Sequence, residues 1–265
     1  MTCPVITLTT DFGAESPYVA QMKASILSIN QNAVIVDITH SVPPQNIEHA
    51  AIVLLDTVPR FPSGTVHVAV VDPEVGTARP ILLARFGHQL VIAPDNGLLG
   101  GLAMADEPTL LFTLTNRKLW NQCVSRTFHG RDIMAPVAAH LSRGTSPADV
   151  GPAASSYHKP NWPQPVIQAD SVAGTVVMID SFGNLITDIR AAWLSRFDQD
   201  RCVVRYADRE VVGIRSTYGE QPPGSLIALP GSSDRLELAV VCGNAARTLG
   251  ARTGEPVVVC VGHAS

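Results

Sequence analysis

The segment TVHVAVV (residues 65–71), followed at once by Asp72-Pro73, gives the clearest indication of the fold class. Its apolar run at 66–71 predicts a strand inside a sheet that is covered on both faces. Ligands of such sheets collect at the carboxyl ends of the strands. Asp72, placed directly after the run, is therefore a candidate site residue, as are Asp11 and Asp95, which also follow apolar runs.

The segments around this strand alternate between strand and helix patterns over the first ~150 residues. Such alternation predicts an N-terminal α/β domain with a mainly parallel central sheet. The other expected elements are strands at 5–9, 33–38, 81–85 and 90–93 and helices at 18–29, 46–58 and 132–142.

The C-terminal third has a different character. Residues 156–171 are rich in proline and predict a linker between an N-terminal domain at 1–155 and a smaller domain at 172–265. Short β-rich runs separated by turn residues predict an all-β domain of the barrel or sandwich type. These runs lie at 174–179, 185–189, 202–206, 211–214, 225–229, 235–241 and 257–261.

Composition narrows the class of protein. The chain has 265 residues, 46% hydrophobic and 16% charged, and a formal charge of -4, which is typical of a globular enzyme and unlike a nucleic-acid surface. The first residues lack a signal-peptide pattern, and no apolar run reaches the ~18 residues of a membrane helix. Five scattered cysteines favour reduced thiols, so we expect a cytoplasmic location. The histidines show no paired-ligand spacing, so we expect no metal.

Two polar segments carry the chemistry. VDPEVGTAR (71–79) supplies Asp72 and Arg79, and TFHGRD (127–132) supplies His129. A carboxylate, a guanidinium and an imidazole on glycine-bearing turns can position and deprotonate a water molecule. The alternative is that these are loop charges facing solvent. Arg131 and Asp132 are expected to pair with each other or to cap the following helix.

Further short segments occur in a fixed order along nearly the whole chain. They are LTTDFG (8–13), IVDITH (35–40), APDNGLL (93–99), FHGRDI (128–133), IDSFGNLITDI (179–189), GSSDRLELAV (231–240) and GNAA (243–246). In this order the set resembles the S-adenosylmethionine hydroxide adenosyltransferase family, relatives of the fluorinating and chlorinating enzymes.

The resemblance implies hydrolysis of S-adenosylmethionine (SAM) to adenosine and methionine by water attack at the ribose C5′. It implies that Asp72, Arg79 and His129 bind and activate this water as hydroxide. It also implies that no cofactor is needed and that the enzyme is a homotrimer. In the family, the N-terminal domain of one subunit meets the C-terminal domain of the next at the site.

The resemblance also assigns binding roles. Asp11 would hold the ribose hydroxyls, Asp180 with Ser232 or Ser233 the methionine end, and Asn184 the adenine edge. Phe182 and Tyr218 would stack on or wall the adenine, and Ala245 would contribute backbone contacts. The full set of implied substrate-binding residues is Asp11, Tyr18, Thr127, Phe128, Asp180, Phe182, Asn184, Tyr218, Ser232, Ser233, Val240 and Ala245.

The chain departs from the family pattern at Ser16, Glu74 and Asp234, where aspartate, glycine and glycine are usual. Two alternative functions are also compatible with these residues. One is a SAM-dependent halogenase, although Asp72 stands where halogenases carry tyrosine and Gly130 where the fluorinase has a halide-contacting serine. The other is a non-catalytic protein that binds SAM or adenosine.

Overall fold

The computed structural model describes residues 5–262. The chain divides into two compact units, one ending at Asn161 and the other beginning at Trp162. This boundary falls inside the proline-rich stretch 156–171. Each unit has its own hydrophobic core.

The N-terminal unit is built on one six-stranded sheet. Its strands are β1 (Val5–Thr10), β2 (Val34–Thr39), β3 (Val66–Val70), β4 (Ile81–Phe86), β5 (Gln89–Pro94) and β6 (Leu110–Thr113). They lie in the order β2-β1-β3-β5-β4-β6. The pairings β1–β2, β1–β3 and β3–β5 are parallel, whereas β4 pairs antiparallel with β5 and β6. The predicted α/β class is confirmed, and β3, the strand formed by the apolar run, lies in the parallel part of the sheet.

Helices cover both faces of this sheet. They are α1 (Pro17–Ile29), α2 (Ile47–Thr57), α3 (Leu98–Ala103) and α4 (Ala135–Ser142), with short 3-10 turns at Val58–Arg60, Arg117–Leu119 and Pro147–Val150. One core packs α1 and α4 against Val66, Val68 and Val70. The other packs α2 and α3 against Ala69 and Val71. Successive residues along β3 thus point to opposite faces of the sheet, as the two-residue period of a strand requires.

The start of α4 differs from the prediction of a helix over 132–142. Residues Gly130–Met134 form a π-helical turn, and the α-helix begins only at Ala135. Inserted turns of this kind are frequent at functional sites. Here the turn lies directly after His129, which is its N-cap residue.

The C-terminal unit is a β structure. Its strands are β7 (Val166–Ile167), β8 (Ser171–Ile179), β9 (Leu185–Arg190), β10 (Val203–Tyr206), β11 (Arg209–Val212), β12 (Leu226–Pro230), β13 (Arg235–Val240) and β14 (Pro256–Cys260), with helices α5 (Ala191–Leu194) and α6 (Ala245–Leu249) and a 3-10 turn at Tyr218–Glu220. The main sheet runs β11-β10-β14-β8-β9-β13-β12, and all its pairings are antiparallel. A bridge between Ile214 and Ala228 joins the two edges, which nearly closes a barrel. The predicted barrel-like β domain is confirmed.

One buried side chain in the N-terminal core makes stability depend on pH. His67 on β3 is fully buried, and its Nδ1 lies 2.7 Å from the Thr7 hydroxyl. Burial lowers the pKa of His67 to about 4, because the charged imidazolium would lose its water. Below pH 6.5, His67 binds a proton in the unfolded chain but stays neutral in the folded protein. The contribution of neutral His67 to the free energy of unfolding is therefore fully present above pH 6.5 and is lost as the pH falls toward 4.

We expect the free energy of unfolding to fall by about 2–3 kcal/mol between pH 7.5 and pH 4.5 from His67 alone. In His67→Gln, which cannot titrate, this part of the fall should disappear, although the variant is less stable at pH 7.5. Urea unfolding at both pH values measures the effect. His88→Gln, at an exposed position, is the matched control. An unchanged pH dependence in His67→Gln would contradict this account.

Candidate active site

Asp72 and Arg79 form a paired unit at the carboxyl end of β3. Arg79 Nε donates to Asp72 Oδ1 at 2.9 Å, and Arg79 Nη2 donates to Asp72 Oδ2. Both side chains are only 5% exposed. A two-point arginine–carboxylate pair fixes the plane of both groups. The two charged groups, seven residues apart in sequence, thus act as a single rigid element.

The loop between them is held by local hydrogen bonds and one close approach. Thr77 donates from its hydroxyl to the Glu74 carbonyl at 2.8 Å, and Arg79 N donates to the Thr77 hydroxyl at 3.3 Å. Gly76 has φ +83°, and a Cβ there would collide with the carbonyl oxygen of Arg126. Only glycine satisfies both conditions. The loop therefore lies against the segment that leads to His129.

His129 completes the group. Its Nδ1 lies 3.0 Å from Arg79 Nη2. Because a guanidinium only donates hydrogen bonds, Nδ1 must accept, so the ring is neutral and carries its proton on Nε2. Burial, together with the charge of Arg79, lowers the pKa of His129. The structure thus brings the three predicted catalytic side chains together, with Arg79 in the middle.

Aromatic side chains lie beside this group. The rings of Phe12, Tyr18 and Phe128 meet edge to face, with centroids 5.3–5.8 Å apart. The guanidinium of Arg131 lies 4.9 Å from the Phe128 ring centre. Arg131 also pairs with Asp132 through two hydrogen bonds of 2.7 and 2.9 Å. This ion pair supports the wall of the site from behind and stays apart from the Asp72–Arg79 pair.

A cavity of about 280 Å³ opens in front of these groups. Asp11, Asp72, Thr127, Phe128 and His129 line it, as expected of a site at the carboxyl ends of β1 and β3. Asp95 lies at the end of β5 and instead accepts a 2.6 Å hydrogen bond from His158 N. The remaining lining residues are Phe12, Gln45, Val70, Pro73, Val75 and Gly130.

Gly130 is tightly packed against Val70 of β3. A Cβ at this position would lie 3.1 Å from both methyl carbons of Val70 and 3.5 Å from Met22 Sδ. A serine here would have to push Val70 aside. The chain therefore has little room at 130 for the hydroxyl that contacts halide in the fluorinase.

In the C-terminal unit, the predicted residues gather around the turn 180–184. Asp180 Oδ1 accepts from Phe182 N and Asn184 N at 2.9 and 2.8 Å, and Asp180 Oδ2 accepts from Asn184 Nδ2 at 3.0 Å. Gly183 has φ +87°, and the side chain of Asn244 fills the space where its Cβ would be. The turn is thereby joined to the segment that carries Ala245.

Tyr218 and Glu237 lie next to this turn. Tyr218 Oη donates to Glu237 Oε2 at 3.0 Å and lies 3.5 Å from Asn184 Nδ2. Glu237 is buried on β13, and burial raises its pKa, as does the charge of Asp180. Sequence reasoning missed Glu237. Its signal was a lone carboxylate inside the apolar run 235–241.

The other predicted residues of this unit lie nearby. Ser232 and Ser233 lie in the turn that begins at Gly231, whose Cα abuts the Glu237 carboxylate. Asp234 has φ +59°, a left-handed conformation that glycine adopts at no steric cost.

Val240 is buried beside Gly243, Ala245 is fully buried, and the Phe182 ring is 74% exposed. Phe182 and Tyr218, which is 41% exposed, leave an aromatic surface open on this unit. Ser16, where the family has aspartate, caps α1 by accepting from Tyr18 N at 3.4 Å.

Within residues 5–262, no three His, Cys, Asp or Glu side chains are grouped as metal ligands would be. In the same range, no helix is long and apolar enough to cross a membrane.

Comparison with known proteins gives the family. Models of the SAM hydroxide adenosyltransferase N-terminal and C-terminal domains match residues 6–151 and 174–258. A protein of Salinispora arenicola named (R)-S-adenosyl-L-methionine hydrolase is 37% identical over 98% of each chain. One of Thermus thermophilus with the same name is 37% identical over 93% of this chain and 96% of its own.

A solved structure of an uncharacterised conserved protein from Thermotoga maritima superposes with a TM-score of 0.92. It is 38% identical and covers 96% of this chain and 99% of its own. Because both domain models match in order over most of its length, the chain belongs to the SAM hydroxide adenosyltransferase family.

Proposed function

We propose that this protein hydrolyses SAM to adenosine and L-methionine. The observation that carries the proposal is the Asp72–Arg79–His129 group at the wall of a cavity that also exposes Asp11. The sulfonium makes C5′ of the ribose open to in-line attack, and methionine leaves as a neutral thioether. No acid is therefore needed at sulfur, and the protein must align and activate a water molecule. We propose no cofactor.

We infer the path of the proton from the hydrogen bonds of the three side chains. The Nδ1 lone pair of His129 already accepts from Arg79, so His129 offers an Nε2–H donor rather than a base. Each Asp72 oxygen accepts one bond from Arg79 and keeps a second lone pair. We therefore assign Asp72 as the base that takes the proton from water. His129 would hold the water oxygen, and Arg79 would stabilise the developing negative charge.

The names of the relatives refine the substrate. Both curated relatives described above are named for the (R) form of SAM. We propose that this chain also takes the (R) form.

The purified protein should be incubated with each epimer, with and without added chloride. Adenosine and methionine from the (R) form alone support the proposal. A chlorinated nucleoside would point to a halogenase, and binding of SAM without any product would point to a binder.

Residues of the C-terminal unit would hold the adenine and methionine ends. Asn184 presents an amide beside the Tyr218 hydroxyl, and Phe182 and Tyr218 offer aromatic faces. Asp180 uses both carboxylate oxygens to shape its own turn. Glu237 lies close by as a buried carboxylate that accepts from a neutral donor, Tyr218. We therefore add Glu237 to the substrate-binding residues, as the acceptor for an amino group.

Glu237→Gln is expected to raise KM about 10-fold while kcat changes less than 3-fold, because it removes a charge that binds substrate but does not react. Steady-state kinetics with SAM tests this. Glu210→Gln, in the same unit, replaces a carboxylate that is 57% exposed and serves as the matched control. Equal kinetics of wild type and Glu237→Gln would remove Glu237 from the site.

We further propose a cytoplasmic homotrimer, in which the site forms where the N-terminal unit of one subunit meets the C-terminal unit of the next. Two observations support this: the proposed contacts lie on both units, and the C-terminal unit leaves Phe182 exposed. Light scattering should give three times the mass of one chain. A monomer that is fully active would contradict the shared site.

A further inference from the structure

The carboxylate of Asp11 is held by a neighbouring turn rather than by its own loop. Gln45 N donates to Asp11 Oδ2 at 2.8 Å, and Gln45 also lines the cavity. The two residues are 34 positions apart in sequence. This contact uses only the main chain of Gln45, whose side chain is exposed.

Gln45 holds an unusual backbone conformation. Its φ is +62°, in the left-handed region, which is uncommon for residues other than glycine, asparagine and aspartate. The conformation costs roughly 1–2 kcal/mol for a residue with a Cβ. Strain of this kind persists where the surroundings impose it, and it is concentrated at functional sites.

The surroundings impose it from both sides. Val42, three residues earlier, is 2% exposed and packs in the core with α2 and α3. Asn46, the next residue, caps α2 by accepting from His49 N at 2.9 Å, and its own N–H donates to the Pro43 carbonyl at 3.0 Å. With both ends held, the peptide N–H of Gln45 is directed at Asp11 Oδ2.

We infer that Gln45 is a positioning residue: its left-handed backbone fixes the Asp11 carboxylate so that this carboxylate can receive the two ribose hydroxyls of the substrate. The inference rests on the proposed function, because it needs a ribose at Asp11. A carboxylate with one oxygen anchored keeps one rotamer, so less side-chain freedom is lost when the diol binds. Gln45 itself does not touch reacting atoms.

If Gln45 acts through its backbone, the effect of a substitution depends on whether the new residue tolerates the left-handed conformation. Gln45→Gly and Gln45→Asn accept the left-handed conformation and keep the N–H, so both should hold Asp11 as wild type does. Gln45→Val and Gln45→Thr are β-branched and resist it, so the turn should shift and the N–H should leave Asp11. Side-chain chemistry predicts a different grouping, since only asparagine resembles glutamine.

The test is calorimetric binding of adenosine and of 2′,3′-dideoxyadenosine, which lacks both ribose hydroxyls. Gln45→Val and Gln45→Thr should weaken adenosine about 10-fold and leave the dideoxy compound within 2-fold of wild type. Gln45→Gly and Gln45→Asn should bind both ligands as wild type does. Asp11→Asn should show the same selective loss as the β-branched variants.

Three results would overturn the inference. Unchanged adenosine affinity in both β-branched variants would show that the turn does not act on Asp11. Equal loss of both ligands would show a general disturbance of the fold. Equal loss in Gln45→Gly would assign the effect to the side chain. If wild-type protein bound adenosine but did not hydrolyse SAM, the proposed function would fail while the role of Gln45 in ribose binding would stand.

Discussion

Replacement of Asp72 by asparagine is expected to lower kcat about 1,000-fold, within the range that a positioned general base contributes. The amide keeps the shape of the side chain and can still accept one hydrogen bond from Arg79, but it cannot take a proton from water. Binding of adenosine should stay within about 3-fold of wild type, because the amide contacts the nucleophile rather than the nucleoside. Single-turnover kinetics and calorimetry measure the two quantities separately.

Glu74→Gln is the matched control for this variant. Glu74 is a carboxylate two residues away on the same loop, and it is exposed. Its replacement should leave kcat within 2-fold. If Asp72→Asn retained a tenth or more of the wild-type kcat, Asp72 would not be the base, and His129 would have to be reconsidered.

Arg79→Lys is expected to lower kcat about 100-fold even though the charge is kept. The guanidinium of Arg79 donates to both oxygens of Asp72 and to His129 Nδ1, and a single ammonium cannot reach all three acceptors in this geometry. The loss should be in kcat rather than in KM, since Arg79 lies behind the cavity wall formed by Asp72 and His129.

The same variant should also be less stable, because the Asp72 carboxylate is buried and would lose part of its hydrogen bonding. We expect the free energy of unfolding to fall by about 1–3 kcal/mol. Arg126→Lys, an exposed arginine near the same segment, is the control for both measurements. A wild-type kcat in Arg79→Lys would show that a single positive charge suffices and that the planar geometry of the guanidinium donors does not matter.

The sequence predicted the fold class because its local patterns agree with the tertiary structure. The apolar run at 66–71 is buried on both faces as β3, and the short runs after the proline-rich stretch form the β structure of the second unit. It missed the strand β6 and the short helix α3, whose six residues include two glycines, which disfavour a helix. It also missed the π-helical turn at Gly130–Met134, whose first residue packs closely against Val70 and Met22, contacts between segments distant in sequence.

The candidate site, too, was predicted from the sequence only in part. Asp72, Arg79 and His129 lie in short polar segments that contain glycine, a local signal, and the structure places them in contact. Which atoms meet is a tertiary fact, and only the Arg79–His129 contact reveals that His129 presents Nε2–H. Gln45 carries no local signal, because its left-handed conformation is imposed by Val42 and Asn46.

The central claim is that water attacks C5′ of the ribose, and the most direct test is the fate of labelled oxygen. The protein should be incubated with the (R) form of SAM in chloride-free buffer made with oxygen-18 water, and the nucleoside analysed by mass spectrometry. We predict adenosine that carries one oxygen-18 at the 5′ position, together with unlabelled methionine. Adenosine without the label, or recovery of intact substrate alone, would contradict the account.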